Sequence, residues 1–134
     1  MRTDVFFDTN VLLYLVSKEA VKAARSETLL RQGGIINPQV LNEFASVSLS
    51  NKFGLTFLEV RTSLNAVLAS CSVVPLTIDT HLTGLRYAER YKLPVNDSML
   101  LAAAVLSGCT LLYTEDMHNG LVVDGVTVKN PYKS

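Results

Sequence analysis

The sequence is poor in the features that mark several large classes of protein. Its 134 residues include two cysteines, Cys71 and Cys109, which stand outside any CxxC or Cys/His pattern. A disulfide scaffold is therefore not indicated, and we expect both thiols to be reduced and buried. No apolar run approaches the ~20 residues that cross a bilayer, and no signal-peptide pattern precedes the first strand-like stretch, 5–7. We therefore expect a cytoplasmic protein with no membrane partner.

An excess of charge of either sign is also missing. The 12 Lys and Arg residues balance 12 Asp and Glu residues, which argues against nucleic-acid binding by overall attraction alone. Apolar residues make up 49% of the chain and charged residues 18%, a composition that excludes a disordered tail and a coiled coil. A chain of this length buries about two-thirds of its unfolded surface. Because no linker or repeat interrupts it, we expect one domain over residues 1–134.

Several kinds of catalytic site lack their sequence motifs. There is no GxSxG elbow for a serine nucleophile, and no glycine cluster follows a strand as a P-loop or dinucleotide site requires. The two histidines, His81 and His118, have no partner at the spacing of a metal site or a triad, so we expect them at the surface. The carboxylates remain as the candidates for chemistry.

Short apolar segments alternate with helical patterns, which is typical of an α/β fold with a mostly parallel sheet. Four strands are predicted at 4–7, 35–36, 73–74 and 110–113, and a fifth at 126–128 on an edge of the sheet. Capping residues mark where the helices begin. We place four of these starts at Asn37 with Pro38, at Thr56 with Glu59, at Asp79 and at Asn96.

Four acids occupy positions that folding alone does not require. Asp8 and Asp116 each follow a predicted strand, and ligands of open α/β sheets bind beyond the carboxyl ends of the strands. Glu43 lies on or beside the apolar stripe of its helix, and Asp97 begins a helix whose body is almost wholly apolar. Each has an ordinary alternative: Asp8 as a helix cap, Asp116 as a loop acid, Glu43 as a boundary residue, Asp97 as a partner of the helix dipole.

If the helices dock in the usual right-handed way, the four acids converge on one rim of the sheet. Clustered carboxylates repel one another unless a cation compensates them. Oxygen ligands favour Mg²⁺ or Mn²⁺, and the lack of histidine or cysteine argues against zinc as the native metal. Such a site suits metal-assisted phosphodiester hydrolysis. Without these four acids the chain keeps eight acidic against 12 basic residues, a net charge of +4, which fits a polyanionic substrate.

The same residues resemble the motifs of PIN-domain nucleases, especially the VapC-like toxins of prokaryotic toxin–antitoxin modules. The opening motif is similar to residues 7–14, Phe-Asp-Thr-Asn-Val-Leu-Leu-Tyr, and the second to residues 40–44, which contain Glu43. The third resembles residues 96–104 with Asp97, and the fourth residues 112–117 with Thr114 and Asp116. The resemblance covers essentially the whole chain, with one departure: Asn96 stands where relatives often have an aromatic residue.

This resemblance implies an α/β/α sandwich around a parallel sheet, which would contain the four to five strands predicted above. It also implies Mg²⁺ or Mn²⁺ dependence, endoribonuclease activity on an RNA substrate, a homodimer, and neutralisation by a cognate antitoxin protein. The acids Asp8, Glu43, Asp97 and Asp116 would be the catalytic and metal-binding residues. Beside them, Thr9, Asn10 and Thr114 either orient the acids or a water, or make only local turn and cap hydrogen bonds.

Two other readings remain open. A phosphoryl-transfer domain would use Asp8 as its nucleophile, but it wants a second aspartate two positions later or a strand-end lysine, and Asn10 stands at that second position. A catalytically weak relative would act as an interaction module. The presence of all four acids disfavours that alternative.

Overall fold

The computed structural model describes residues 2–133 and contains a six-stranded sheet, which has one strand more than the four to five that were expected. The strands lie in the order β3-β2-β1-β4-β6-β5, and all neighbours are parallel except β5 and β6. Their bounds are β1 Val5–Phe7, β2 Gly34–Ile36, β3 Cys71–Val73, β4 Leu111–Tyr113, β5 Val122–Val123 and β6 Val126–Lys129. The predicted α/β fold with a mostly parallel sheet is confirmed.

The expected edge position of the last strand was wrong. Strand β6 lies between β4 and a two-residue strand, β5, with which it forms a hairpin. The connecting residues Asp124 and Gly125 both have positive φ, 45° and 87°, as a type I′ turn requires. Asp-Gly between valine-rich segments is a hairpin signal, so β5 could have been recognised in the sequence.

Six α-helices and one 3₁₀ turn connect the strands of residues 2–133. They are α1 Thr9–Leu13, the 3₁₀ turn Tyr14–Val16, α2 Ala20–Gln32, α3 Pro38–Leu49, α4 Phe57–Ser70, α5 Ile78–Tyr91 and α6 Val95–Leu106. The predicted cap of α3 is confirmed, since the Asn37 side chain accepts a hydrogen bond from the backbone N–H of Val40. The capping box of Thr56 and Glu59 at α4 is also confirmed.

Two predicted helix starts were wrong by two residues. Helix α5 is capped by Thr77, whose hydroxyl accepts from the N–H of Thr80 at 3.2 Å, and not by Asp79. Helix α6 begins after Pro94, whose φ of −56° already suits the turn into a helix. Asn96 is therefore the second helical residue rather than the cap, and Asp97 is the third.

Helices cover both faces of the sheet, which makes the expected three-layer sandwich. Successive side chains of a strand point to opposite faces, and Val5, Phe6 and Phe7 are all at most 1% exposed. Each such burial stabilises the fold by roughly 1.5–3 kcal/mol. The free cysteines Cys71 and Cys109 are buried, as expected. No helix within residues 2–133 is long and apolar enough to cross a membrane.

The register of the central strands brings the ends of β1 and β4 together. Phe7 is paired with Tyr113, so the residues that follow, Asp8 and Thr114, emerge side by side. The backbone N–H of Asp8 continues the ladder by donating to the Tyr113 carbonyl at 3.0 Å. The carboxyl edge of the sheet thus positions two residues that are 106 positions apart in sequence.

Candidate active site

Asp8 is the buried member of the site. Its side chain is held by two donors: the N–H of Thr9 lies 2.6 Å from Oδ1, and the hydroxyl of Thr114 lies 2.7 Å from Oδ2. Asp8 also occupies the cap position of α1, so its role as a helix cap and its place at the strand end are compatible. The residue is only 3% exposed. Burial, together with the charges of Asp116 and Asp97, raises its pKa to about 7, although both hydrogen bonds act in the opposite direction.

The Thr114 hydroxyl has a single orientation open to it. Its oxygen accepts from the Asn10 amide and from the backbone N–H of Asp116, both at 3.1 Å. The hydroxyl proton is then directed to Asp8. Asn10 also donates to Oδ2 of Asp116 at 3.0 Å. Thr114 and Asn10 therefore join Asp8 and Asp116 into one hydrogen-bonded unit.

Glu43 is attached to the same region through α1. The Thr9 hydroxyl donates to Oε2 at 2.9 Å, and the Gln39 amide donates to Oε1 at 3.1 Å. Gln39 also donates to the carbonyl of Asn96 at 3.0 Å, which links α3 to the start of α6. Gln39 was not among the residues predicted from the sequence, although its position four residues before Glu43 on one helix face was a usable signal.

Asp97 is placed differently from the other acids. It is half-buried in the first turn of α6, and no hydrogen bond to its side chain is present among residues 2–133. Its pKa is raised by burial and then by the negative charges of Asp116 and Glu43. The charges of Asp116 and Asp97 thus act on the pKa of Asp8, and those of Asp116 and Glu43 on the pKa of Asp97, so the four acids lie within electrostatic reach of one another. We call these four residues the acidic site.

No cation of the described chain neutralises the acidic site. The salt bridges found in residues 2–133 are Arg2–Asp4, Lys22–Glu115 and Arg31–Glu27, and none includes a site acid. The strand-end lysine of a phosphoryl-transfer site is thus not paired with Asp8. Within the same residues, no three His, Cys, Asp or Glu side chains are grouped so that they could hold a metal ion as they stand. The site offers oxygen donors, but not a preformed cage.

Glu115 points away from its neighbour Asp116. Its carboxylate accepts a hydrogen bond from the Tyr14 hydroxyl and a 3.1 Å ion pair from Lys22. The Lys22 ammonium also lies 4.8 Å from the centre of the Tyr14 ring and 5.5 Å from that of Tyr132. Lys22 therefore neutralises a fifth carboxylate that would otherwise add to the charge of the acidic site. Lys22 could not be predicted from sequence spacing, because 93 positions separate it from Glu115.

A groove of about 490 Å³ opens beside the acidic site. Asn10 and Asp116 lie at its border with the site, and Lys18, Lys52 and Phe53 are among its other lining residues. We call it the Lys18–Lys52 groove.

Comparison with known proteins places this chain in a family. The sequence model of the PIN domain matches residues 5–118, which include all four site acids. No curated protein matches the sequence.

Solved structures share the fold at low sequence identity. A toxin–antitoxin complex from Klebsiella pneumoniae matches with a TM-score of 0.71 and 23% identity, over 97% of this chain and 99% of that one. VapC20 of Mycobacterium tuberculosis, a sarcin-ricin loop cleaving toxin, gives 0.64 and 15%, over 84% and 91%. VapBC2 of Rickettsia felis, bound to a DNA fragment from its promoter, gives 0.66 and 17%, over 94% and 97%.

Proposed function

This chain belongs to the PIN domain family, and from its acidic site we propose that it is a cytoplasmic, metal-dependent endoribonuclease, the toxin of a toxin–antitoxin module. One observation carries the proposal. Asp8 is buried at the carboxyl end of the central strands, held by two hydrogen bonds, and its charge is compensated by no cation of the described residues. A protein that needed Asp8 only as a helix cap would have no use for three further acids around it.

The donor chemistry of the site fits Mg²⁺ or Mn²⁺. Every side chain of the acidic site offers carboxylate oxygens, the ligands that these hard cations prefer. Asp8, Asp97 and Asp116 would hold the ion, with Glu43 beside them. When bound, the ion would supply a polarised water and charge stabilisation for in-line hydrolysis of a phosphodiester.

The residues around the acids keep them in place for this role. Thr114 fixes Asp8, Thr9 and Gln39 fix Glu43, and Asn10 fixes Asp116. Such neighbours of metal ligands set ligand orientation and basicity. Burial around Asp8 excludes bulk water from that side of the site, which strengthens each charge interaction there.

RNA is the proposed substrate class. VapC20, which shares the fold, is a sarcin-ricin loop cleaving toxin. The charge outside the acidic site, +4, is of the sign that a polyanion requires.

The proposed partner is a cognate antitoxin that closes the acidic site. Leu58 of α4 is 67% exposed and lines a depression with Val16 and Leu55, and Val16 also lines the Lys18–Lys52 groove. An antitoxin segment bound to Leu58 would thus continue toward the acids, where we expect an Arg or Lys of the partner to compete with the metal.

Leu58→Asp should weaken inhibition of RNA cleavage by the antitoxin. A co-structure with the partner far from Asp8 and the site open would contradict this.

We also propose a homodimer through the exposed apolar face of α5 and α6. Four large apolar side chains on this face are at least half exposed: Ile78, Leu82, Leu85 and Leu106. Contiguous exposed apolar surface of this kind marks interaction sites. Leu82→Arg should shift sedimentation from dimer to monomer, whereas Val122→Arg, on a strand that is also exposed, should not. A monomeric wild type would contradict the dimer.

Incubation of total RNA with the protein tests the function itself. We expect discrete new RNA ends with Mg²⁺ or Mn²⁺, none with excess EDTA, and loss of most activity in Asp8→Asn and Asp97→Asn. Asp79→Asn, which removes an exposed acid of α5, is the matched control and should cleave normally. Full RNA cleavage in EDTA, or by both Asp8→Asn and Asp97→Asn, would contradict the proposal. A folded wild type that cleaves nothing with either metal would leave the interaction module as the better reading.

A further inference from the structure

The Lys18–Lys52 groove is continuous with the acidic site. Asn10 and Asp116 border both, so a nucleic-acid chain whose phosphodiester lies at the acids has a direct path into the groove. Its volume of about 490 Å³ is within the roughly 300–1,000 Å³ of sites that hold small ligands. The groove is therefore large enough for part of a nucleotide chain.

The charges of the groove favour an anion. Lys18, in the link before α2, and Lys52, in the turn after α3, are both exposed, and neither takes part in a salt bridge within residues 2–133. Glu115 also lines the groove, but Lys22 neutralises it. Of the acids that line the groove, Glu19 is then the one outside the acidic site whose charge is not neutralised by a salt bridge within residues 2–133. Two free ammonium groups thus face the path that leads to the acids.

The rest of the lining is suited to bases. Leu13, Val16 and Val47 are half-buried apolar residues of the groove, and the half-buried ring of Phe53 stands next to Lys52 in sequence. Cations that follow the backbone, combined with an aromatic ring on which a base stacks, are the usual means of binding single-stranded nucleic acid.

We propose that the Lys18–Lys52 groove binds the single-stranded RNA segment that adjoins the scissile phosphate, with Lys18 and Lys52 on its phosphates and Phe53 stacked on a base. This inference rests on the proposed ribonuclease function and adds to it a substrate-binding surface. It also explains how a protein with no net charge binds RNA. Lys18 and Lys52 concentrate positive charge in the groove, and the carboxylate of Glu115, which would repel RNA, is neutralised by Lys22.

Binding of a fluorescent single-stranded oligoribonucleotide to the full chain tests the proposal. The Asp8→Asn background prevents cleavage, and anisotropy is measured from 50 to 300 mM salt. Each phosphate contact to a single strand adds about 0.7 to the slope of log K against log salt. Lys18→Met and Lys52→Met should therefore each lower that slope by about 0.7. Phe53→Ala should weaken binding by about 5-fold or more with no change of slope, and Phe53→Tyr should restore it.

Arg31→Met is the control, because it removes the same charge from an exposed position of α2 whose partner is Glu27. It should leave both affinity and slope unchanged. Circular dichroism melts verify that each variant is folded. In the cleavage-competent protein, the lysine variants should raise KM and leave kcat nearly unaltered.

The possible failures are distinguishable. A wild type that cleaves RNA, with slopes unchanged in both lysine variants, would overturn the groove proposal and leave the ribonuclease intact. If Lys18→Met and Lys52→Met bind RNA normally but are no longer inhibited by the antitoxin, the groove binds the antitoxin and not RNA. A wild type that neither binds nor cleaves RNA would contradict the proposed function itself.

Discussion

Asp8 and Asp97 belong to the same acidic site, but the protein holds them in opposite ways. Asp8 is buried, and two hydrogen bonds from different parts of the chain fix its carboxylate. Asp97 is half-buried, and its side chain receives no hydrogen bond from residues 2–133. Burial nevertheless raises the pKa of both, and nearby carboxylates add to the shift.

This difference separates two ways of building an acidic site. Neighbouring donors determine where the Asp8 carboxylate points, so the orientation exists before any ligand arrives. Helix α6 fixes the backbone position of Asp97, but no hydrogen bond from residues 2–133 fixes the orientation of the Asp97 side chain. Changes near Asp8 should therefore act through orientation, whereas changes at Asp97 should act mainly through charge.

Among changes that leave all four acids in place, the largest effect is expected from the donor to Asp8. Thr114→Val keeps the shape of a fully buried side chain but removes the hydroxyl, and loss of such a neighbour typically costs about 10–100-fold in activity or metal affinity. We expect a loss of that size in RNA cleavage at saturating Mg²⁺. Asn96→Ala, next to Asp97, should change cleavage little, because the Asn96 side chain makes no hydrogen bond within residues 2–133. Equal losses in the two variants would remove the distinction between the acids.

The pH dependence of stability should come mainly from Asp8. Its carboxyl ionises near 3.8 when unfolded and near 7 in the fold. Between these values the folded protein binds more protons than the unfolded chain, so the free energy of unfolding decreases as the pH rises through this window. We expect the metal-free protein in EDTA to be more stable at pH 5 than at pH 8, by on the order of 2 kcal/mol.

Urea unfolding at the two pH values measures this difference. Asp8→Asn has no ionisable group at this position and should lose most of the pH dependence. Asp97→Asn should keep most of it, because Asp97 is less buried than Asp8. A wild type that is more stable at pH 8 than at pH 5 would contradict the assignment.

The sequence allowed the strand-end acids to be predicted, because strand ends are local features and parallel strands share a carboxyl edge. Thr9, Asn10 and Thr114 were also named as residues that could orient the acids, but the sequence did not show which acid each of them holds. Thr114 and Asp8, or Lys22 and Glu115, meet only through the register of the sheet and the docking of α2. The start of α6 was missed for another reason: Asn96 is a good cap by type, but Pro94 already sets the backbone for the helix.

A smaller effect is expected at the ion pair beside the site. Lys22→Met leaves the Glu115 carboxylate without its cation, so negative charge is added next to Asp116 and the loop after β4 loses a fixed point. We expect about 2–5-fold slower cleavage, since a partly exposed pair contributes about 1 kcal/mol or less. Glu115→Gln added to Lys22→Met should recover most of this loss. If the double variant is no better than Lys22→Met, the lysine acts only through packing on the tyrosine rings.

The smallest effect concerns Asp97 and stability. Without metal, its charge is repelled by Asp116 and Glu43, and Asp97→Asn removes that repulsion from the folded state without breaking a hydrogen bond. The opposing cost is a lost favourable interaction with the amino terminus of α6, typically ~0.3–1 kcal/mol. We expect repulsion to dominate, so that Asp97→Asn melts higher in EDTA by a gain on the order of 1 kcal/mol or less, as functional sites often exchange stability for activity.

Mg²⁺ should stabilise the wild type by mass action and should stabilise Asp97→Asn less. Thermal melts of both proteins in EDTA and in Mg²⁺ decide the matter. If Asp97→Asn melts lower in EDTA and both proteins respond equally to Mg²⁺, Asp97 serves the helix terminus and not the acidic site.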